Sequence, residues 1–588
     1  MGKHYLVNDS LFYADNPYVA KNPFLTMEVE DKPLPTYAEA KDELPRPIWP
    51  GHEDALACYD KVWEIAFRNL RRPNAAGGFV SNFIDTAFNG YLFMWDSSFI
   101  VMFGRYGSHV FNFQKTLDNM YSHQHRDGFI CREICEDQPG EQFQRDDPAS
   151  TGPNIMPWSE WEYYQLTGDK DRLEKIFYPL LAYHRWLRLN RTWRDGSYWS
   201  CGLACGMDNQ PRVEKHYCEH ASHGHGIWID ACIQMVMSGK ILIEMGKILG
   251  HEEDTVWLAD EVSLLTTLIN EKLWSEEEAF YFDMWRSGLS GVKTIGAYWA
   301  LLADIVPADR LPRFIEHLNN PGEFNRPHRV PTLSADHPDY HEDGHYWKGS
   351  VWAPTNYMVL KGLDRVGYHD LAHEIACNTL DNVVKVFNTT GTVWENYSSE
   401  HEKPGIPARP DFVGWTGLIP IAVLIEYVFG IQADAKNDEI IWRVKLTEEH
   451  GVEKYPYNGR FVYLRCNARK DKADEPVITL ECDAPVKVRV IWDGGEKVLT
   501  EENDWRLNGQ EDYLKDCALK LTPYIRRSER NDHEHCDFCW AKFSEYEGTL
   551  HEGYVATADT ATADGQEYWI CPKCCQDFKE RFGWIVEG

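Results

Sequence analysis

The sequence predicts a mainly α-helical protein in which six helical hairpins close into a toroid, followed by a small β domain and a cysteine-rich tail. Three observations predict it. Apolar residues recur at helical spacing from about residue 53 to 430, strand-like runs follow Gly430, and paired cysteines stand near the end. The twelve helical segments that six hairpins need are 53–70, 95–106, 108–122, 157–167, 170–191, 225–249, 254–272, 293–304, 307–318, 350–364, 369–388 and 415–428.

Four regions follow from these patterns. Residues 1–52 are rich in Pro, Asn and Asp, and we interpret them as an extended arm ahead of the helical body at 53–430. An antiparallel β domain is predicted at 431–523, and a separate module at 530–588. The long loops of the helical body are rich in Gly, Trp, Asp and His, and such loops on a helical scaffold usually carry function.

Composition and charge limit the classes of partner. The chain has 60 basic and 92 acidic residues, a formal net charge of −32, which repels phosphate groups. We therefore expect neither a nucleic-acid nor a membrane partner. The 23 tryptophans favour a carbohydrate ligand, because an indole face stacks well on a sugar ring.

The cellular compartment is predicted from the N-terminus and the cysteines. The first residues contain no apolar run of the secretory type, and no stretch approaches the ~18 apolar residues of a membrane span. Sixteen cysteines in such a chain indicate reduced thiols. The expected location is cytoplasmic.

Four carboxyl residues stand in apolar or aromatic surroundings, namely Asp96, Glu133, Asp208 and Glu395. A carboxylate beside aromatic rings needs a partner or a function, because burial disfavours its charge. Each has a structural alternative, such as a helix N-cap for Asp96 or an ion pair with Arg212 for Asp208. All four fall at loop–helix junctions, and together they favour a catalytic pocket.

The segments around these carboxyls resemble glycoside hydrolase family 63, especially its bacterial mannosylglycerate- and glucosylglycerate-hydrolase-like branch, and more distantly the family 37 trehalases. The matching segments occur in family order over about 60–430: MWDSSF (94–99), GFICREI (128–134), PNIMPWSEWEYYQLTGD (153–169), GMDNQPR (206–212), HYWKGSVWAPTNYMVLKGL (345–363) and VWENY (393–397). Ser350 and Ala353 depart from the family pattern, which has prolines there.

The resemblance implies an (α/α)6 barrel and an exo-acting hydrolase that inverts an α-glycosidic bond, with Asp208 as general acid and Glu395 as general base. Inversion needs room for a water between base and sugar. The expected substrate is a small α-glucoside or α-mannoside, either a disaccharide or a glycosylglycerate, and no cofactor is expected for catalysis. The predicted sugar-binding residues are Trp95, Asp96, Arg132, Glu133, Trp158, Asn209, Trp347, Gly349, Trp352 and Trp394. For the tryptophans, a place in the core is the alternative.

Two C-x2-C pairs near the end predict a structural zinc site. Cys536 and Cys539 form one pair, Cys571 and Cys574 the other, in the order of a zinc ribbon. A short tail needs such a metal, because it cannot bury enough apolar surface alone. Its acidic setting favours protein contact, including homo-oligomerisation. The histidines and cysteines of 201–225 match no zinc spacing, so no metal is predicted there.

Two other functions remain open from the sequence. An inverting disaccharide phosphorolase would need a phosphate cradle, for which Ser398, Ser399 and Lys403 are the candidates. A non-catalytic sugar-binding or scaffold protein would use the tail to recruit partners. The identity of the sugar, the aglycone and the linkage is left open, because these depend on pocket shape.

Overall fold

The computed structural model describes residues 15–86, 89–482, 484–501, 506–507, 510–526, 532–546, 548–556 and 567–587. The chain divides into two compact units. The first contains Met1–Leu480 and Lys487–Leu499, and the second contains Glu481–Val486 and Thr500–Gly588. In the described part of the chain, no helix is both long enough and apolar enough to cross a membrane.

The first unit is rich in helices. Its α-helices are Tyr37–Ala40, Glu53–Arg68, Met94–Gly104, Thr116–Ser122, Met156–Thr167, Lys170–Asn190, Gly202–Cys205, Ile229–Leu249, Glu252–Lys272, Trp299–Leu302, Leu311–Glu316, Ala353–Arg365 and His369–Thr390, and Ile419–Val428 is a π-helix. Short 3-10 turns are Val19–Lys21, Pro23–Leu25, Arg105–Gly107, Phe113–Lys115, Pro148–Ser150, Ile295–Tyr298 and Thr416–Leu418.

Every predicted helical segment contains a helix, but three of these helices are shorter than predicted. The segment 108–122 is helical as an α-helix only over Thr116–Ser122, and 293–304 is split between a 3-10 turn and the single turn Trp299–Leu302. Of the predicted segment 307–318, only Leu311–Glu316 is an α-helix, and it has Pro312 in its first turn. Proline is tolerated there because the first N–H groups of a helix have no partner inside it.

Six helices of the first unit contact one another in a closed order, each packing on the next and the last on the first. We call them the ring helices: Met94–Gly104, Met156–Thr167, Ile229–Leu249, Trp299–Leu302, Ala353–Arg365 and Ile419–Val428. Their sequences explain their position. Every residue of Met94–Gly104 and of Ile419–Val428 is buried, as expected for helices that are apolar all round.

Amphipathic helices lie outside the ring. Glu53–Arg68 packs on the ring helix Ile419–Val428, and His369–Thr390 packs on both Ala353–Arg365 and Ile419–Val428. Each buries one face and exposes the other. This pattern is the one expected of a helix that covers a core on one side only.

The two ends of the ring helices border different cavities. Residues in or just before their first turns line a cavity of about 300 Å³, among them Trp95, Pro153, Trp347 and Trp415. Residues at or near their last turns line a cavity of about 930 Å³, among them Arg105, Leu166, Leu302, Asp364 and Glu426. The ring helices that border both cavities therefore run in the same direction.

Buried ion pairs join the carboxyl ends of the ring helices. The Arg105 guanidinium donates to Glu162 at 2.7 Å and to Glu426 at 2.6 Å. The Lys361 ammonium reaches the same two carboxylates at 2.7 and 2.9 Å. Cations are favoured here by the negative end of each helix, and each charge has opposite partners that offset its desolvation.

Two four-stranded sheets consist mainly of residues from the first unit. In spatial order the strands of one are Arg46–Ile48, His450–Tyr457, Arg460–Cys466 and Ile478–Cys482, and those of the other are Ile431–Asp434, Glu439–Arg443, Val486–Trp492 and Gly495–Glu501. Two-stranded pairs are Leu70–Arg71 with Phe83–Ile84, Tyr91–Phe93 with Glu133–Cys135, Trp274–Ser275 with Phe280–Tyr281, and Met284–Trp285 with Gly288–Leu289.

The β region differs from the prediction in two ways. It is not purely antiparallel, because Ile440–Arg443 pairs in parallel with Val488–Ile491. It also takes its first strand from the predicted arm, since Arg46–Ile48 pairs with His450–Tyr457. Strand spacing in a sequence shows neither direction nor distant partners, so both features depend on the tertiary structure.

The second unit has its own sheet and core. The sheet order is Tyr568–Ile570, Glu552–Ala556, Ala518–Pro523 and Ile585–Glu587, beside a hairpin of Glu534–His535 and Lys542–Phe543 and the helices Glu511–Leu514 and Pro572–Phe582. Phe538, Phe578 and Trp584 are buried in its core. The predicted boundary at 523 lies inside this unit, because the strand Ala518–Pro523 pairs with strands on both sides.

Candidate active site

The four carboxyl residues that the sequence singled out lie around one cavity. Asp96, Glu133, Asp208 and Glu395 all line the space of about 300 Å³ at the amino ends of the ring helices. They come from four distant parts of the chain. Trp95, Arg132 and Trp347, three of the predicted sugar-binding residues, also line this cavity.

Glu395 is held on both its backbone and its carboxylate. Its N–H donates to the carbonyl oxygen of Arg409 at 2.9 Å, and its own carbonyl oxygen accepts the indole N–H of Trp415 at 2.8 Å. The hydroxyl of Tyr346 donates to Oε1 at 3.1 Å, and the backbone N–H of Arg409 donates to Oε2 at 3.2 Å. Burial raises the pKa of Glu395, while these two donors and the charge of Arg409 oppose the rise.

Asp208 has a different environment. Its carboxylate accepts no hydrogen bond from another residue of the described structure. Burial raises the pKa of the Asp208 carboxyl to about 6, although the positive charge of Arg132 acts against the shift. The two carboxyls therefore differ in hydrogen bonding: donors stabilise the ionised form of Glu395, and burial favours the protonated form of Asp208.

Two residues of the cavity lining, Asp96 and Trp95, each have a polar atom without a hydrogen-bond partner in the described protein. These atoms, Oδ1 of Asp96 and the indole N–H of Trp95, are both buried. Burial raises the pKa of Asp96 well above its usual range. Sugar hydroxyls both donate and accept hydrogen bonds, so they satisfy such groups. Gly206 lets Trp95 pack closely, because a Cβ there would lie 2.8 Å from the indole.

Arg132 and Glu133 form an ion pair in the cavity wall. The guanidinium lies 2.6 Å from Oε1 of Glu133 and donates through Nε to the carbonyl oxygen of Ala149 at 2.7 Å. Burial raises the pKa of Glu133, and Arg132 opposes that rise. The strand pair Tyr91–Phe93 with Glu133–Cys135 places this ion pair beside the first turn of Met94–Gly104.

Five predicted sugar-binding residues do not line the cavity. Asn209 accepts the N–H of Trp347 and donates to the carbonyl oxygen of His345, both at 2.9 Å, so it fastens the Trp347 loop beside Asp208. Trp352 is buried and stacks on Trp347 with 3.7 Å between ring centroids. Gly349, with φ of 139°, approaches the carbonyl oxygen of His341 too closely for a Cβ.

The remaining two tryptophans of the predicted sugar-binding set, Trp158 and Trp394, also lie outside the lining of this cavity. Trp158 lines the cavity at the carboxyl ends of the ring helices, where its indole donates to Glu162 at 3.0 Å. Trp394 is half-buried, and its indole donates to Thr390. For Trp158 the core alternative describes the structure better, because neighbouring helices bury its ring. Trp394 is in neither the cavity lining nor the core.

Sequence reasoning missed several residues of the cavity. Tyr346, Arg409, Phe143, Gly206 and Trp415 all line it. Tyr346 and Gly206 belong to the HYWKG and GMDNQPR segments, so motif position offered a signal for both. No local signal marks Arg409 or Trp415, which reach the cavity only through the loop that follows Glu395.

The four tail cysteines lie together, as predicted. The Sγ atoms of Cys536, Cys539, Cys571 and Cys574 all lie within 4.8 Å of one another. The N–H of Cys574 donates to Sγ of Cys571, and the N–H of Cys571 donates to Sγ of Cys536, both at 3.3 Å. Among the residues that the structure describes, these four alone form such a group, and the cysteines and histidines of 201–225 do not.

Comparisons of the sequence and the structure with known proteins agree on one family. The model of the mannosylglycerate hydrolase MGH1-like glycoside hydrolase domain matches residues 90–409. An uncharacterised protein of Borreliella burgdorferi is 25% identical over 54% of this chain and 67% of its own length. A probable mannosyl-oligosaccharide glucosidase of Schizosaccharomyces pombe is 23% identical over 49% of this chain, which spans only 35% of that protein.

A solved structure shows the same fold. The crystal structure of family 63 mannosylglycerate hydrolase from Thermus thermophilus, in complex with glucose, superposes with a TM-score of 0.52 at 19% identity, covering 62% of this chain and 99% of that one. Fold, paired carboxyls and family match together define a glycoside hydrolase. The chain belongs to the mannosylglycerate hydrolase MGH1-like family, which confirms the resemblance to family 63.

Proposed function

We propose that this protein is an inverting, exo-acting α-glycoside hydrolase built on an (α/α)6 barrel, with Asp208 as general acid and Glu395 as general base. The observation that carries the proposal is the pair of carboxyls on one cavity, of which Glu395 accepts two hydrogen bonds and Asp208 accepts none from another described residue. The closed order of the six ring helices with amphipathic helices outside supports the barrel.

The two carboxyls divide the proton transfers. A protonated Asp208 donates its proton to the glycosidic oxygen as the bond to the anomeric carbon breaks. The ionised Glu395 removes a proton from a water molecule that attacks the opposite face of that carbon. The hydrogen bonds from Tyr346 and Arg409 orient Glu395 for this step and oppose the rise of its pKa that burial causes.

The cavity favours a small substrate. Its volume of about 300 Å³ is at the lower end for ligand pockets. The indole of Trp95 and the carboxyl of Asp96 are suited to sugar hydroxyls in the subsite of the cleaved ring. Because relatives include a mannosylglycerate hydrolase and a mannosyl-oligosaccharide glucosidase, we propose α-mannosides and α-glucosides as the substrate class.

The residues suggested as a phosphate site for the phosphorolase alternative have other partners in the structure. Ser398 donates to the carbonyl oxygen of Glu342 at 2.7 Å, Ser399 pairs with the hydroxyl of Tyr340 at 2.6 Å, and Lys403 pairs with Asp343 at 2.6 Å. None of the three lines the cavity. A phosphate beside Glu395 would therefore have to bind elsewhere, which favours water as the nucleophile.

For the tail we propose a structural zinc ion held by Cys536, Cys539, Cys571 and Cys574. Tetrahedral Zn–S bonds of ~2.3 Å place the sulfurs about 3.8 Å apart, which fits the observed spread. Zinc would supply folding energy to the second unit and no step of hydrolysis. Cys575 is buried beside the site and is not one of the four. A contact with another protein, including a second copy, is the proposed role of this unit.

The proposed function is tested by hydrolysis of α-glucosides and α-mannosides followed by NMR of the first product formed. We expect the β-anomer first, which reflects inversion, and initial α-anomer would contradict the mechanism. Asp208→Asn and Glu395→Gln should each lower kcat by ~10²–10⁴ while the circular dichroism spectrum is unchanged. The matched control is Asp381→Asn on the exposed face of His369–Thr390, which should keep full activity.

A further inference from the structure

The turn that carries Tyr346 has a strained backbone. His345 and Tyr346 both have positive φ, 40° and 69°, a region that residues with a bulky side chain adopt rarely. Two consecutive residues in this region persist only where the surrounding contacts hold them there. The hydroxyl of Tyr346 donates to Oε1 of Glu395, so the contacts that hold this turn also decide whether the proposed base receives its hydrogen bond.

Asn209 supplies two of these contacts with a single side chain. Its Nδ2 donates to the carbonyl oxygen of His345, and its Oδ1 accepts the backbone N–H of Trp347, both at 2.9 Å. These two peptide groups lie on either side of Tyr346. Because one partner is a backbone acceptor and the other a backbone donor, they fix which end of the carboxamide is the oxygen. Asn209 does not line the cavity itself, so it acts on the site from outside.

The next residue of the acid loop strengthens this connection. Gln210 donates to the carbonyl oxygen of Thr332 at 2.7 Å, and the hydroxyl of Thr332 donates to the carbonyl oxygen of Trp347 at 3.1 Å. Trp347 is therefore held at its N–H by Asn209 and at its carbonyl oxygen by Thr332. Both routes begin at the two residues that follow Asp208, whose own carboxylate accepts no hydrogen bond from another described residue.

We propose that Asn209 is a positioning residue that couples the proposed acid to the proposed base, by joining the backbone next to Asp208 to the two peptide groups that flank Tyr346. The inference rests on the proposed hydrolase function and adds a residue to its machinery. Inversion needs a constant gap for water between the base and the anomeric carbon, and a rigid link between the two loops maintains such a gap. Asn209 acts through Tyr346 and does not bind the sugar.

The test measures kcat and KM against pH for Asn209→Ala beside Tyr346→Phe. Without the clamp the strained turn relaxes and the Tyr346 hydroxyl leaves Glu395, so the pKa of that carboxyl rises. We expect kcat to fall about tenfold with KM changed less than about threefold, and the acidic limb to move to higher pH as in Tyr346→Phe. The double variant should show no further movement of the limb, because the donor is already lost.

Asn378→Ala is the matched control. The Asn378 carboxamide makes the same pair of contacts around His328: it donates to the carbonyl oxygen of Pro327 at 3.0 Å and accepts the N–H of Arg329 at 2.9 Å. None of these residues lines the cavity. Both variants lose two hydrogen bonds to backbone, so both should lower Tm to a similar extent, and only Asn209→Ala should move the acidic limb.

Three results would overturn the coupling. A limb that moves in Tyr346→Phe and stays in place in Asn209→Ala would do so and leave the hydrolase function intact. Movements that add in the double variant would show that Asn209 acts independently of Tyr346. A limb that moves in neither single variant would refute the coupling together with the role of Glu395 as base.

Discussion

The hydroxyl of Tyr346 lies 3.1 Å from Oε1 of Glu395 and donates a hydrogen bond to it, joining residues from two separate loops above the ring helices. The donor stabilises the carboxylate over the acid, and it fixes the direction in which Glu395 faces the cavity. Tyr346 is in turn held by Trp352, whose indole donates to its carbonyl oxygen at 3.3 Å. Trp352, which stacks on Trp347 from behind the cavity, thus helps to position Tyr346 and through it the proposed base.

Tyr346→Phe should lower kcat about tenfold, the effect of losing one hydrogen bond of ~1.4 kcal/mol to a charged group. It should also move the acidic limb of the pH–rate profile to higher pH, because the donor lowers the pKa of Glu395. The control is Tyr340→Phe, whose hydroxyl binds Ser399 and Glu400 and lies outside the cavity. A loss of rate with no shift of the acidic limb would assign Tyr346 a purely structural role.

The rate should fall as the pH rises through about 6. Asp208 must be protonated to act as acid, and burial raises the pKa of its carboxyl to about 6, so the alkaline limb of kcat/KM is expected there. Profiles from pH 4 to 9 on a neutral substrate measure it. Activity that keeps rising to pH 8 would argue against Asp208 as the acid.

Asp208→Asn should stabilise the protein at pH 7.5 by about 1–2 kcal/mol, allowing for partial solvent access. The pKa of Asp208 is raised in the folded state, from 3.8 to about 6, so the folded protein holds this proton more tightly than the unfolded chain. The stability that results is complete below pH ~4 and is lost as the pH rises through about 6. Asparagine does not ionise, so urea unfolding should give a difference at pH 7.5 that vanishes at pH 4. An unchanged difference across this range would contradict the burial of the charge.

Replacing Cys536 and Cys539 together by serine should release the zinc and unfold the second unit. Metal analysis of the purified protein should find about one zinc per chain before the change and none after it, because two thiolates no longer complete a tetrahedron. The intrinsic kcat on a small substrate should stay within about threefold. Cys575→Ser is the matched control and should keep the metal. Zinc absent from the unaltered protein, or kcat lost while the ring helices stay folded, would contradict this division of roles.

The sequence alone predicted the helical segments, the four carboxyl residues and the four cysteines. These features depend on local periodicity and on short segments whose spacing is visible along the chain. Trp95, Asp96 and Asp208, from the MWDSSF and GMDNQPR segments, line one cavity, and the C-x2-C pairs identified four sulfurs that lie together. The catalytic and metal-binding roles of these residues stay predictions.

Only the tertiary structure decided which aromatic residues face the cavity and which lie behind it. Trp347 and Trp352 stand in the same segment, yet one lines the cavity and the other is buried beneath it, because a ring is placed by the distant helices that pack around it. The same holds for the hydrogen bond from Tyr346 to Glu395, the position of Arg409 in the cavity lining and the parallel pairing of Ile440–Arg443 with Val488–Ile491. Each joins parts of the chain that share no local pattern, and closure of the helical ring is the physical event that brings them together.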